Sequence, residues 1–239
     1  MIISIVLPAY LEAGNLKKIL PRIHNELSEI EHEILVVDTM KPMDNTMEVC
    51  AENNAVYTPR KGGNNYGDAI RTGFSEASGK YIVVMDADGS HDPKEIKRFY
   101  NEVESGNFDL VIGSRYCKGG YTDNPAILRF MSWILNVVYR IIFGLKVKDV
   151  SDSYRLYVAK QVKALDLECD NFDIVEEILI KLNIYTDNFR IKEVPISFNK
   201  RDEGTSKRHL MAFIGSYLKT IKKLLKIKRK ASKGYDKGY

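Results

Sequence analysis

The chain has 239 residues, 44% hydrophobic and 28% charged, enough to bury a full core and unlike disordered, collagen-like or disulfide-scaffold sequences. Its three cysteines, Cys50, Cys117 and Cys169, lie far apart in no metal-ligand spacing, which fits a reducing, cytoplasmic compartment. The net charge of +4 hides a split: residues 200–239 carry 13 Lys/Arg against 3 Asp/Glu and the first 199 carry 23 against 29, so an acidic body bears a basic tail suited to an anionic surface, membrane or nucleic acid.

The first ten residues, MIISIVLPAY, have no basic segment and no cleavage site, and their apolar run stops at Pro8, so they read as a strand and not as a signal peptide. Residues 2–7 (IISIVL), 34–37 (ILVV), 81–85 (YIVVM) and 110–112 (LVI) are Val/Ile-rich runs bounded by turn residues, which predicts strands buried on both faces of a parallel sheet. Helical patterns fill the gaps at 15–28, 44–53, 66–78 and 93–104. Pro93 suits a first helical turn with Asp92 as its N-cap, and Gly79 and Gly106 stand where glycine ends a helix. This βαβαβα alternation predicts an α/β fold, a Rossmann-like, mostly parallel sheet flanked by helices, with ligands gathered at the carboxyl ends of the strands.

Residues 127–145 are strongly apolar but carry Arg129 and Arg140, and their longest charge-free run, 130–139, has ten residues. A membrane span needs about 20, so the pattern predicts a core helix or one lying at a membrane surface. A polar loop at 148–155 (KDVSDSYR), a helix at 172–182 and a strand at 189–198 follow. In residues 209–230 the apolar positions Met211, Ile214, Leu218, Ile221 and Leu225 recur at steps of three and four, with Lys219, Lys222, Lys223 and Lys226 between them. That predicts a basic amphipathic helix, better suited to a lipid surface than to nucleic acid, for which no recognition motif is present.

The chemistry is expected just after the strands. Asp86-Ala87-Asp88 follows YIVVM, and the strand period of two aims both carboxylates the same way. Two carboxylates at one spot repel unless a cation neutralises them, and oxygen ligands suit Mg²⁺ or Mn²⁺. Such an ion bridges a diphosphate and neutralises the charge that develops when it leaves. After the first strand, Pro8 ends the ladder, Tyr10 offers a flat ring and Glu12 a carboxylate, a set suited to a nucleoside; Asp38 ends the second strand, where an acidic residue binds ribose or base in many nucleotide folds.

Taken together, LPAYLEAGNL, VVD followed by DNT, NYGDAIRTGF, VMDADGSHDP, GSRY and KRDEGTSK, in order over residues 2–207, resemble the inverting family 2 glycosyltransferases, and within them the polyprenyl-phosphate (dolichyl-phosphate) mannose or glucose synthases. The resemblance implies a GT-A fold over 1–207, with a nucleotide-sugar half (1–114) and an acceptor half (115–207), before a basic amphipathic helix and tail at 208–239. It implies a nucleotide-diphosphate sugar as donor, a polyprenyl phosphate as acceptor and a divalent metal. Carried over by position, Pro8, Tyr10, Glu12 and Asp38 match the nucleoside pocket, and Asp86 and Asp88 the metal and diphosphate site, with Ser90 near the metal. Arg115 and Arg129 match phosphate-holding arginines. Arg201, Ser206 and Lys207 match a loop that closes on donor or acceptor phosphate, and Ser151, Asp152 and Arg155 an acceptor-side stretch. The chain departs from the family in reading Tyr10-Leu11-Glu12 for Tyr-Asn-Glu, and Asp38-Thr39-Met40-Lys41-Pro42-Met43-Asp44 for Asp-Asp-Gly-Ser, with the second aspartate lost and a residue inserted, which leaves GDP or UDP open. The QxxRW motif of processive members is absent.

For a lipid phosphate the nucleophile is already anionic and no general base is needed; for a hydroxyl acceptor on a glycan or lipid-linked sugar, Asp152, Asp173, Glu176 and Glu177 are the candidate bases. A non-catalytic nucleotide-sugar binder would also accommodate the altered Leu11 and Thr39. A pyrophosphorylase would need a Gly-rich triphosphate loop, which PAYLEAGN is not. The expected setting is the cytoplasmic face of a membrane, reached through 209–230, with room for a separate membrane-protein partner.

Overall fold

Six consecutive residues with no exposed side chain, ISIVLP, form β1 (Ile3–Pro8), the strand on which the rest is laid. The structure, a computed structural model, describes residues 1–199 and 210–235, the side chains of 210–216 and 232–235 excepted. Along the chain follow α1 (Ala13–Glu26), β2 (His32–Asp38), α2 (Thr46–Glu52), β3 (Val56–Pro59), α3 (Tyr66–Glu76), β4 (Tyr81–Val84), α4 (Lys94–Gly106), β5 (Leu110–Ser114), β6 (Tyr121–Thr122), α5 (Ala126–Phe143), β7 (Arg155–Val158), α6 (Ala159–Lys163), α7 (Ile174–Tyr185), β8 (Ile191–Pro195), β9 (Ser197–Phe198) and α8 (Leu210–Tyr235).

The main sheet has seven strands in the order β3-β2-β1-β4-β7-β5-β8, parallel except for β7, which runs antiparallel to both β4 and β5. β6 and β9 form a small second sheet. Because β1 lies between β2 and β4, connections leave it in opposite directions, and a crevice opens at the carboxyl ends of these strands. Alternate side chains of each strand feed two cores. Ile3, Ile5 and Leu7 pack with α1 and Phe99 of α4 on one face, while Val6, Val84 and Ile112 pack with α3, α7 and α8 on the other. Each fully buried Ile or Leu contributes about 1.5–3 kcal/mol of transfer free energy.

Three local expectations are corrected. Pro93 is the N-cap position of α4, and Asp92 lies one residue further out, although its Oδ1 still accepts the Lys94 N–H at 3.2 Å. Gly79 does not end α3: its Cβ would sit 2.7 Å from the Ser4 amide nitrogen, so glycine is required there by the close approach of β1. The left-handed residue after α4 is Asn107, not Gly106. The strands β3 and β7 have no counterpart among the predicted elements.

α5 is not a core helix. Only Asn136, Tyr139 and Phe143 are buried, one stripe at helical spacing. Val150 donates its N–H to Asn136 Oδ1 at 3.0 Å, and Tyr139 packs edge-on against Tyr217. On the opposite face Ile127, Phe130, Ile134 and Ile141 stand in solvent, Ile141 at 76% exposure. α8 also differs in detail from the amphipathic pattern. Tyr217, Thr220, Ile221 and Leu224 are buried against the body, while Leu218 faces outward. Lys223 pairs with Glu168 at 2.9 Å and Lys228 donates to the Ile142 carbonyl at 3.2 Å, so the helix is fastened beside α5. Its Lys219, Lys222 and Lys226 are exposed.

Candidate active site

The crevice at the end of β1 is built from three loops. Pro8 closes β1, Tyr10 is exposed, and Leu11 takes a left-handed φ of 59°, a conformation that asparagine tolerates better than leucine. Glu12 precedes α1, and its Oε2 accepts from Asn15 Nδ2 at 2.7 Å. Asp38 ends β2 and is buried; its Oδ2 accepts from Tyr57 at 3.4 Å and its Oδ1 has no hydrogen-bond partner among the described residues. Burial, reinforced by Asp44, pushes its carboxyl above the usual range. A buried acceptor left open at a strand end suits a donor N–H of a nucleobase.

Two residues that the sequence did not single out hold these loops in register. Arg60, buried after β3, donates to the carbonyls of Ala9, Asn64 and Asn65. Asp44 accepts from the first amides of two helices, Ala13 N–H at 3.1 Å and Thr46 N–H at 3.0 Å. Asp44 thus pins α1 to α2.

The turn after β4 carries Asp86 and Asp88, with Gly89 at φ 82° to let the chain reverse. Ser153 Oγ donates to Asp86 Oδ1 at 3.0 Å. Asp88 Oδ1 accepts from both the backbone N–H of Ser90 at 3.0 Å and its hydroxyl at 2.5 Å. Ser90 is fully buried, and its hydroxyl orients Asp88. Among the described residues no three His, Cys, Asp or Glu side chains converge on one point. Two hard carboxylates do fit Mg²⁺ or Mn²⁺, whose shells are ordinarily completed by substrate phosphate oxygens and water.

Behind this turn lies a buried charge network. Arg115, at the end of β5, donates from Nε and Nη2 to the two oxygens of Asp149, both at 2.8 Å, and its Nε lies 3.0 Å from Asp152 Oδ2. Its Nη2 also reaches Ser151 Oγ at 2.9 Å. Burial works against the charge on Arg115, but the facing Asp149 and Asp152 outweigh it and hold the guanidinium above its ordinary pKa. Burial likewise opposes the ionisation of Asp152, but Arg115, His91 and the Tyr154 amide together outweigh it and hold that carboxyl below the usual range.

Arg115 also lines a cavity of about 440 Å³ with Tyr116, Tyr121, Arg129, Phe130 and Trp133. Two arginines and four aromatic rings face this space, and among the described residues no carboxylate lines it. Phe130 and Trp133 stack at 6.1 Å on the exposed side of α5.

The other acceptor-side candidates are corrected. Arg155 has 0% exposure and donates to the carbonyls of Asp152, Val175 and Val150, so it braces the fold. Glu177 accepts from the amides of Glu168 and Cys169 and pairs with Lys181 at 2.8 Å. Asp152 is committed to Arg115, Asp173 accepts from Thr220, and Glu176 is fully buried with its carboxyl pushed up to about 8, mainly by burial. None of these stands free as a base. Arg201, Ser206 and Lys207 lie outside the described residues. His91, Ser153 and Asp149 were missed, although all three stand inside the quoted stretches VMDADGSHDP and KDVSDSYR.

The glycosyl transferase family 2 model matches residues 4–165. A Pyrococcus furiosus protein named dolichol-phosphate mannosyltransferase is 36% identical over 237 residues, covering 95% of this chain and 64% of that protein, so the chain spans less than two thirds of that relative. A polyprenol monophosphomannose synthase of Mycolicibacterium smegmatis is 33% identical over 215 residues, covering 85% of this chain and 79% of that protein. Among solved structures, the glucosyl-3-phosphoglycerate synthase of Mycobacterium tuberculosis, crystallised with Mn²⁺, UDP and phosphoglyceric acid, superposes with a TM-score of 0.73 at 18% identity, over 94% of this chain and 78% of that one. This likeness establishes the GT-A fold.

Proposed function

This chain belongs to glycosyl transferase family 2, and from that membership we propose that it moves a hexose, mannose or glucose, from a nucleotide-diphosphate sugar to a polyprenyl (dolichyl) phosphate. The names of the archaeal and mycobacterial relatives favour mannose and a polyprenyl phosphate. The observation that carries the acceptor class is the cavity between Arg115 and Arg129, walled by aromatic rings and, among the described residues, lined by no carboxylate. A hydroxyl acceptor needs a base to take its proton. A phosphate monoester is an anion at neutral pH and needs arginines to hold and aim it, a task suited to the planar guanidinium fork. The described residues of the cavity offer the second set and not the first.

In this reading Tyr10, Glu12 and Asp38 hold the nucleoside, with Asp44 and Arg60 fixing the loops that carry them. Asp86 and Asp88 hold a divalent ion, Mg²⁺ or Mn²⁺. When bound, the ion takes up charge on the departing diphosphate. Arg129, exposed in the first turn of α5, meets the acceptor phosphate. Arg115, locked by Asp149, keeps its own charge at the cavity wall. In-line attack on the anomeric carbon by the lipid phosphate oxygen then expels the nucleoside diphosphate with inversion.

The membrane assignment rests on two adjacent helices. α5 presents Ile127, Phe130, Ile134 and Ile141 on one face, and α8 beside it presents exposed lysines. An apolar face next to basic residues fits a peripheral position on an anionic leaflet, at its cytoplasmic face. The same α5 lines the cavity, so the lipid tail leaves the cavity along the surface that meets the membrane.

The test supplies purified protein with Mn²⁺, a short polyprenyl phosphate and radiolabelled GDP-mannose, UDP-glucose or UDP-GlcNAc. Label is expected in the lipid phase with one donor, and Asp88→Ala is expected to abolish it. No label with any donor refutes the lipid-phosphate reading; near-normal transfer by Asp88→Ala removes the metal-site assignment.

A further inference from the structure

We propose that His91 is a positioning residue that presets the two-carboxylate turn for its divalent ion and ties that turn to Arg115 at the acceptor cavity. The inference rests on the donor-site reading above and names a residue that reading does not use. His91 has 1% exposure. Its ring stacks on Tyr154, with centroids 4.6 Å apart, and meets Phe198 edge-on at 5.3 Å. Tyr154 is itself held by the hydrogen bond from its hydroxyl to the Asp92 carbonyl at 2.8 Å. The imidazole is therefore fixed in plane and in rotation before any bond it makes is considered.

With the ring fixed, its two nitrogens act in different directions. Nδ1 lies 3.1 Å from the backbone nitrogen of Asp86. An amide can only donate, so Nδ1 accepts and the ring proton sits on Nε2. Nε2 faces Asp152 Oδ1 at 3.5 Å, and Asp152 Oδ2 lies 3.0 Å from Arg115 Nε. A buried line of contacts thus runs from the amide of one metal-site aspartate to the arginine that lines the acceptor cavity, a hydrogen bond at Asp86 and close charge contacts at the other two links, where Nε2 and Oδ2 make no hydrogen bond among the described residues.

The position of the first link gives it a role beyond packing. β4 ends at Val84, and the ladder to β1 closes with the Met85 N–H on the Val6 carbonyl at 3.1 Å. The next amide, Asp86, lies past the ladder and is received by a side chain five residues on. That bond closes the turn around Asp88 and sets the spacing of the two aspartates. Ser153 holds the Asp86 carboxylate from the other side at 3.0 Å. Two carboxylates facing one point repel each other until the ion arrives. A turn closed by His91 bears that repulsion in the free protein, whereas an open turn would relax and pay for its closure out of ion binding.

Two variants separate this from simple packing. His91→Phe keeps a flat ring on Tyr154 and Phe198 and removes the acceptor. His91→Asn gives up the stack and keeps an acceptor oxygen where Nδ1 stands. Mn²⁺ binding is read by electron paramagnetic resonance at constant GDP, and again at constant UDP, on folded full-length protein. His91→Phe is expected to weaken Mn²⁺ binding about tenfold or more, roughly 1.4 kcal/mol, and His91→Asn to stay within about threefold of wild type. Mn²⁺ binding by His91→Phe equal to wild type overturns the inference, as does an equal loss in both variants. Wild-type protein that binds no Mn²⁺ with either nucleoside diphosphate refutes the donor-site reading, and this inference with it. Should His91→Phe fail to fold, ¹⁵N spectra of wild-type protein decide: the inference requires a bare Nδ1 and a protonated Nε2, and a protonated Nδ1 overturns it.

Discussion

Glu176 stands in the first turn of α7 with 0% exposure, and its carboxyl is pushed from an ordinary 4.5 up to about 8. Burial is the main cause, Asp173 adds to it, and Arg155 and Tyr217 offset part. Below pH 4.5 folded and unfolded chains both carry the proton, and the group costs nothing. As pH rises above that value the unfolded chain releases its proton and the folded chain does not, so stability is lost up to the folded pKa near 8. At about 1.36 kcal/mol per pH unit, the loss reaches roughly 3 kcal/mol at pH 7 and about 5 kcal/mol above pH 8, a large share of a typical 5–15 kcal/mol. Glu176→Gln keeps the shape and removes the ionisation. Any cost of pairing the new amide is the same at every pH, so it moves the curve without tilting it. Urea unfolding of both proteins at pH 5, 6, 7 and 8 is the assay. The stability difference is expected to grow in favour of Glu176→Gln by about 1.4 kcal/mol per pH unit from pH 5 to pH 8. Parallel curves would falsify the buried, proton-bearing state of Glu176.

Leu11→Asn is expected to stabilise the protein by about 1 kcal/mol, since leucine is strained at φ 59° and asparagine much less so. A Tm raised by about 2–4 °C in calorimetry would agree, and an unchanged or lower Tm would not. Arg115→Ala leaves Asp149 and Asp152 buried beside no cation and is expected to cost about 3–5 kcal/mol in urea unfolding. Arg129→Ala, at an exposed position, is expected to change stability by less than about 0.5 kcal/mol while raising the acceptor KM, so equal destabilisation by the two variants contradicts the division between them. Replacing Phe130, Ile134 and Ile141 together by serine is expected to abolish flotation with anionic liposomes while transfer to a detergent-dispersed short acceptor persists. Undiminished flotation moves the membrane contact off α5.

The strands that carry the site were legible because each is buried on both faces and so reads as an unbroken apolar run. β3 was not, because it is a four-residue edge strand with Val56 half exposed. β7 was hidden by Arg155, which reads as a loop residue until three backbone carbonyls are seen to receive its guanidinium. The paired aspartates were legible from their place after a strand. The partners that hold them were not, because His91 and Ser153 act through contacts five and 67 residues away in the chain. Sequence also left α5 balanced between core and surface. Its composition suits both, and only the neighbours of Asn136, Tyr139 and Phe143 decide which face is inside. The apolar stripe of α8 was read as one face for lipid; packing spends Ile221 on the body and leaves Leu218 outside.

The acceptor class is the centre of this account, because its argument rests on a cavity with two arginines and, among the described residues, no carboxylate. The most direct measurement compares the initial rate of sugar transfer to a short polyprenyl phosphate and to the polyprenol of the same chain length, with the same donor and Mn²⁺. The account predicts transfer to the phosphate and none above background to the alcohol. Comparable rates with both would mean that a base has been overlooked, and would contradict it.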